Sequence, residues 1–278
     1  MLTFDGSFLP DCTYVAPTQS LGTVSKLLQH QVRMNVTNKT PTFYAILDYQ
    51  GKQTNVFVKG GFKALHHNVL YQCWVDELKP LFGLAKIGTH IALLDTQLAK
   101  APAYFLIMRD FGPGLQHYPT VQHQGITKID KENIPILQMV HWLKQNDWEQ
   151  HPDWLPHYVN ILLFRQIVES SDTNNTNFIV NPSQPIPFLS VDENHKGAFL
   201  NGKLFSHRPT KKCLETVLQF IHNHKYQLIQ QLEDWQTVVE GDSFSEICQN
   251  FPGLHLQDKI AQNVTQLKAL VMKDQLHG

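Results

Sequence analysis

The hydrophobic period of this chain is mostly strand-like in its first part and mostly helical in its second, and that division limits the folds open to it. Before residue 112 the apolar residues mostly alternate or run in short blocks; beyond it they recur at helical spacing. Residues 31–38 alternate, 40–49 are aromatic and β-branched, Gln50-Gly51-Lys52 reads as a turn, and 53–60 alternate again, which predicts a three-stranded meander. Residues 64–83 switch to helical spacing, carried by Leu65, Val69, Cys73 and the acidic pair Asp76-Glu77, with Gly83 as the stop. Two buried strands are expected over 90–95 and 103–111. Pro113-Gly114 breaks the chain, and 112–128 reads as a loop. Helices are expected over 133–145, from Pro156 onward, and through a tail at 210–239 and 243–275. Two short strands fall between the Pro156 helix and that tail. Residues 1–20 show no period, and 21–30 reads as a short helix. The expected class is α+β. Its parts are an N-terminal arm over 1–30, a β-rich lobe with one helix over 31–112 and a helical lobe over 113–278.

With 278 residues, 42% of them hydrophobic, the chain can bury one large core or two smaller ones. Lys+Arg 23 against Asp+Glu 24 leaves a net charge of −1, so no nucleic-acid partner and no polybasic membrane tether are expected. Cys12, Cys73, Cys213 and Cys248 are far apart, which suggests neither a paired-cysteine metal site nor a disulfide framework. No basic segment followed by an apolar run opens the sequence, and no apolar stretch is long enough to span a bilayer. The expectation is a soluble, cytoplasmic protein with no transmembrane segment. The Asn-x-Thr triplets at 35, 38, 174 and 263 then read as chance in an Asn- and Thr-rich chain.

The chemistry-bearing pattern lies in the second half. Asp172 stands five residues before Asn177, an apolar strand follows at 178–180, and Asp192 closes the next apolar strand. Phosphoryl transfer needs such parts in this order. One carboxylate orients the acceptor hydroxyl, while an amide oxygen and a second carboxylate hold the metal on the nucleotide phosphates. Upstream, Lys59 ends the apolar strand Asn55–Val58, where a lysine can reach α- and β-phosphates as a point charge; alone it would read as a solvated strand-end lysine. Glu77 sits on the next helix, where it could pair with Lys59, although its neighbour Asp76 offers the same charge. Asp192 ends its strand in a place suited to Mg²⁺, a hard cation that takes oxygen ligands. Taken singly, Asp172, Asn177 and Asp192 also read as turn residues.

These residues together resemble the protein-kinase-like superfamily. Phe105–Asp110, including Met108 and Asp110, resembles the strand and connector whose backbone binds adenine between two kinase lobes. Asp110-Phe111-Gly112 spells the kinase metal motif, but it precedes Asp172, so it reads as the connector. The Ser171-Asp172-x4-Asn177 form lacks a preceding His-Arg, and Asp192-Glu193 stands where Asp-Phe-Gly would be. Both features are more similar to atypical members such as phosphatidylinositol 3/4-kinases and bacterial HipA-like kinases. Asn38–Thr42 occupies the place of a glycine-rich phosphate loop. The resemblance spans roughly residues 30–200. It implies a bilobal fold binding ATP and Mg²⁺, with Asp172 catalytic, Asn177 and Asp192 as metal ligands, and Lys59, Glu77, Met108 and Asp110 holding the nucleotide. A protein, lipid or small-molecule hydroxyl would be the acceptor.

Two other enzyme classes find little support. His66-His67 and His222-Asn223-His224 lack zinc-ligand spacing, and no Gly-x-Ser-x-Gly elbow is present. The alternative that stays open is a catalytically inactive kinase-like scaffold.

Overall fold

The computed structural model describes residues 22–29, 42–49, 52–62, 67–95, 103–109, 120–123, 126–129, 154–170, 178–180, 188–190, 195, 211–251 and 254–273. The chain divides into two compact units. One comprises Met1–Glu77, Ile87–Gly112 and Ile247–Leu254; the other comprises Leu78–Lys86, Pro113–Glu246 and His255–Gly278. The class is α+β. Among the described residues, no helix is long and apolar enough to cross a membrane.

Among the described residues, the first unit holds five strands, β1 (Gly22–Gln29), β2 (Thr42–Tyr49), β3 (Lys52–Phe62), β4 (His90–Asp95) and β5 (Ala103–Arg109), closed into a barrel in the order β1-β2-β3-β5-β4. Closure removes the unpaired edges that an open sheet of this size would expose. The closing seam is short and parallel, Gly22 with Leu94 and Thr23 with Asp95; the other pairings are antiparallel. Between β3 and β4 runs α1 (His67–Leu78), on which Val69, Tyr71, Trp74, Val75 and Leu78 are buried.

In the second unit, a 3-10 turn at Lys79–Phe82 ends on Gly83 at φ +72°, the left-handed conformation that glycine adopts without steric cost. Two hairpins, β6 (Thr120–His123) with β7 (Ile126–Ile129) and β8 (Phe178–Val180) with β9 (Phe188–Ser190), accompany five helices among the described residues. These are α2 (Trp154–Ile167), α3 (Lys211–Asn223), α4 (Lys225–Val239), α5 (Asp242–Gln249), whose residues from Ile247 on are assigned to the first unit, and α6 (Gln257–Met272). Helix α2 is apolar nearly all round and is the buried axis of the unit, with Val159, Leu163, Phe164 and Ile167 inaccessible. Phe82 is an aromatic hub, with ring centroids 5.2 Å from Phe164, 5.3 Å from Trp235 and 6.3 Å from Phe244.

Three sequence expectations change. Within residues 21–30, read as a short helix, Gly22–Gln29 form β1 instead. A ten-residue helix is marginal alone, whereas β-branched Thr23 and Val24 pair with Asp48 and Leu47 of β2. The expected loop at 112–128 contains β6 and most of β7, in which Val121, Ile126 and Thr127 favour strands and only Gln124-Gly125 separates the partners. The tail is divided more finely than expected, with a break at His224 and separate helices ending at Gln249 and starting at Gln257. The strand expected at 31–38 and the helix at 133–145 lie outside the described residues.

Candidate active site

In the first unit, Lys59 lies on β3 and is half-buried. Its strand is paired on both sides, placing Lys59 opposite Thr42 of β2 and Leu106 of β5. Side chains in register share a face, and so do residues two apart on one strand. Lys59 and Met108 therefore stand on the same face of the β3–β5 pair, as diagonal neighbours. The register shifts between Gly60 and Phe62, directly after the lysine. A bulge at such a place sets the direction of the side chains beside it.

The two candidate acids on α1 have different surroundings. Asp76 is buried, and its carboxylate accepts three backbone N–H bonds, from Ile87 at 2.8 Å, Gly88 at 2.8 Å and Thr89 at 2.7 Å. It ties the last turn of α1 to the segment that opens β4. Glu77 is half-buried in the same last turn. Three of the contacts of Asp76 are thus to backbone donors of one segment.

In the second unit a polar cluster surrounds the C-terminal end of α2. The helix closes with Glu169 N–H donating to the Gln166 carbonyl at 3.0 Å and Ser170 N–H to the Arg165 carbonyl at 2.9 Å. This pair of bonds puts Glu169 in the position usually taken by glycine. Its φ is +59°, which costs a side-chain-bearing residue about 1–2 kcal/mol. The carboxylate offsets that strain. Oε2 accepts from Lys259 Nζ at 2.7 Å and His195 Nε2 at 3.2 Å, and Oε1 accepts from Asn263 Nδ2 at 3.3 Å. Asn263 also donates to the Ile167 carbonyl at 2.9 Å, satisfying a helix end.

One turn earlier, Arg165 is fully buried. Its Nη1 donates to Ser190 Oγ at 3.0 Å and its Nη2 to Ser170 Oγ at 3.3 Å. Lys79, also buried, donates to the Ser190 carbonyl at 2.7 Å. Two cations from separate elements therefore hold Ser190, and one of them also holds Ser170.

Four of the expected site residues, Asp110, Asp172, Asn177 and Asp192, lie outside the described residues. Their chain neighbours are described. Ser170, two before Asp172, bridges to His195, three after Asp192. Phe178, directly after Asn177, pairs with Ser190, two before Asp192. The chain on either side of the expected site is thus drawn together around Arg165 and Glu169. Among the described residues no group of three or more His, Cys, Asp or Glu side chains could hold a metal ion.

The sequence pattern assigns no site role to Arg165, Glu169, Ser190, His195, Lys259 or Asn263. A charged side chain inside the apolar run Ile161–Val168 was the available signal for Arg165. No family model matches the chain, and none of the curated proteins matches it significantly.

Proposed function

We propose that the chain is an ATP-dependent phosphotransferase, a kinase that moves the γ-phosphate of MgATP onto a hydroxyl acceptor. The observation that carries this reading is the convergence of the described residues flanking Asp172, Asn177 and Asp192. Ser170 meets His195, and Phe178 meets Ser190. An order of motifs in sequence becomes relevant to phosphoryl transfer only when the chain returns to one place, and these pairings of the flanking residues support that return.

In this reading Asp172 orients the acceptor hydroxyl and takes its proton. The hydroxyl oxygen forms a bond to the γ-phosphorus, the bond from that phosphorus to the β–γ bridging oxygen breaks, and ADP leaves with the electron pair. Asn177 and Asp192 supply oxygen donors, the donor type that suits Mg²⁺. When bound, that ion neutralises charge on the phosphate oxygens. Lys59 adds a point charge for the α- and β-phosphates and Glu77 restrains it. Met108, on the Lys59 face of the β3–β5 pair, and Asp110 belong to the adenine-binding segment. The bilobal kinase arrangement is part of the same proposal, as is a protein, lipid or small-molecule acceptor.

Calorimetric titration of ATP in the presence and absence of Mg²⁺ tests the reading on the wild type, Lys59→Ala and Asp192→Asn. Mg²⁺-dependent binding that both substitutions weaken is expected, with Asp172→Ala lowering turnover about 10²-fold or more. A folded wild type that binds no ATP would overturn it. Binding with turnover indifferent to Asp172→Ala would make the protein a kinase-like scaffold.

A further inference from the structure

The Glu169–Arg165 cluster does more than close a helix. A glycine at position 169 would adopt φ +59° with no steric cost, yet the chain carries a glutamate there. The same helix ending occurs in this unit at the 3-10 turn. There Gly83 N–H donates to the Pro80 carbonyl at 3.1 Å and Leu84 N–H to the Lys79 carbonyl at 2.9 Å. A glycine fills that position, with nothing within 4 Å of where a Cβ would stand. The strain at 169 is therefore not a requirement of the turn. It accompanies a carboxylate that joins three separate parts of the chain: the end of α2, His195, and Lys259 with Asn263 of α6.

Arg165 acts in the same place by different bonds. Its two Nη groups hold Ser170 and Ser190, the described residues two positions before Asp172 and two before Asp192. Ser190 is held a second time through its carbonyl by Lys79. A guanidinium is suited to this because its donors lie in one rigid plane, so two acceptors held by it keep a defined separation. Taking a guanidinium out of water is costly, and a single hydrogen bond between loops would not require one.

We propose that Arg165 and Glu169 are positioning residues of the phosphotransfer site, holding the segment before Asp172 and the strand before Asp192 in one fixed relation. The inference rests on the phosphotransferase reading and adds its supporting layer. Arg165 sets the separation of Ser170 and Ser190. Glu169, through His195, ties the segment after Asp192 back to the end of α2. Changing the groups that orient metal ligands typically costs about 10- to 100-fold in metal affinity or activity.

The test is a Mg²⁺ titration of ATP binding on the full chain, with a thermal melt of each sample. The variants are Arg165→Lys, Glu169→Gln and Glu169→Gly, with Val264→Ala as control, since Val264 is buried on α6 and makes none of these hydrogen bonds. The first three should shift the Mg²⁺ midpoint upward by about tenfold or more. Val264→Ala should lower the melting temperature and leave the midpoint in place. Glu169→Gly separates the two roles most sharply, because it relieves the backbone strain while removing the carboxylate. Should a charge variant fail to fold, Ser190→Ala removes only the Arg165 acceptor and carries the same expectation. Midpoints that stay at the wild-type value while stability falls as in the control would overturn the inference and leave the phosphotransferase reading standing. A wild type without Mg²⁺-dependent ATP binding would overturn both.

Discussion

Asp76 and Glu77 are adjacent acids on one helix, and their surroundings predict opposite consequences of neutralising them. In Asp76→Asn the side chain keeps its shape but only one oxygen. The best rotamer turns that oxygen to Gly88 and Thr89, which share Oδ2 in the native bonding, and leaves the new NH₂ facing the Ile87 N–H. A buried backbone donor left unmet costs about 1–3 kcal/mol, and two bonds that lose their charge assistance weaken by about 1 kcal/mol each. Relief of a buried carboxylate returns part of this, so the net loss should be about 3 kcal/mol, more than a hundredfold in the unfolding equilibrium. Glu77→Gln, at a half-buried position, should cost under about 1 kcal/mol. Under the proposed function it should instead weaken ATP binding. Urea unfolding gives the global difference, and hydrogen exchange gives the local one, with the amides of Ile87, Gly88 and Thr89 losing protection in Asp76→Asn alone. Equal stability of the two variants, or unchanged exchange at those amides, would refute the assignment of Asp76 to the backbone.

Three further outcomes follow from described contacts. Phe82→Ala removes the ring shared by Phe164, Trp235 and Phe244 and should cost about 3–5 kcal/mol, read as a lowered urea midpoint. Gly83→Ala meets no neighbouring atom, so its cost should be the backbone term alone, about 1–2 kcal/mol by the same measurement. Burial pushes the Cys248 thiol above its ordinary range, and a hydrogen bond from the Trp74 side chain offsets part of the rise. At neutral pH Cys248 should therefore alkylate more slowly than in the urea-unfolded chain, as peptide mass spectrometry would show. As pH climbs through the ordinary thiol range, the unfolded thiol ionises before the folded one. Stability present below that range is then lost, and Cys248→Ser should flatten the alkaline fall.

Local patterns reached far into the fold. The meander strands at 40–49 and 53–60 appear as β2 and β3, the 64–83 pattern as α1 and its 3-10 extension, and Gly83 as the stop. These elements carry their own signals: alternation, helical spacing, a glycine able to reach positive φ. β1 was hidden because a ten-residue segment with mixed spacing is decided by its partners. Its pairing with β2 and β4 outweighs a weak local preference. The two acids of α1 could not be told apart for a similar reason. The donors that occupy Asp76 lie 11 to 13 residues further on, in a segment whose course no helix period reveals.

The cluster at the end of α2 was the least legible part. Lys79 reaches Ser190 across 111 residues and Asn263 reaches Glu169 across 94, so no window of sequence contains the contact that gives either residue its meaning. Glu169 went unnoticed for a further reason. A rule that ends helices at glycine locates Gly83 but passes over a helix that ends on a glutamate. The two endings have the same backbone bonds and different residues, and the difference measures what tertiary contacts can sustain. Where nothing approaches the turn, the unstrained residue is present. Where Lys259, His195 and Asn263 converge, a strained residue persists, because replacing it by glycine would remove their shared partner. A local rule that fails at one helix end and holds at another in the same unit marks the place where folding preference was subordinated to geometry. That place lies three residues before the aspartate that the sequence alone had set apart.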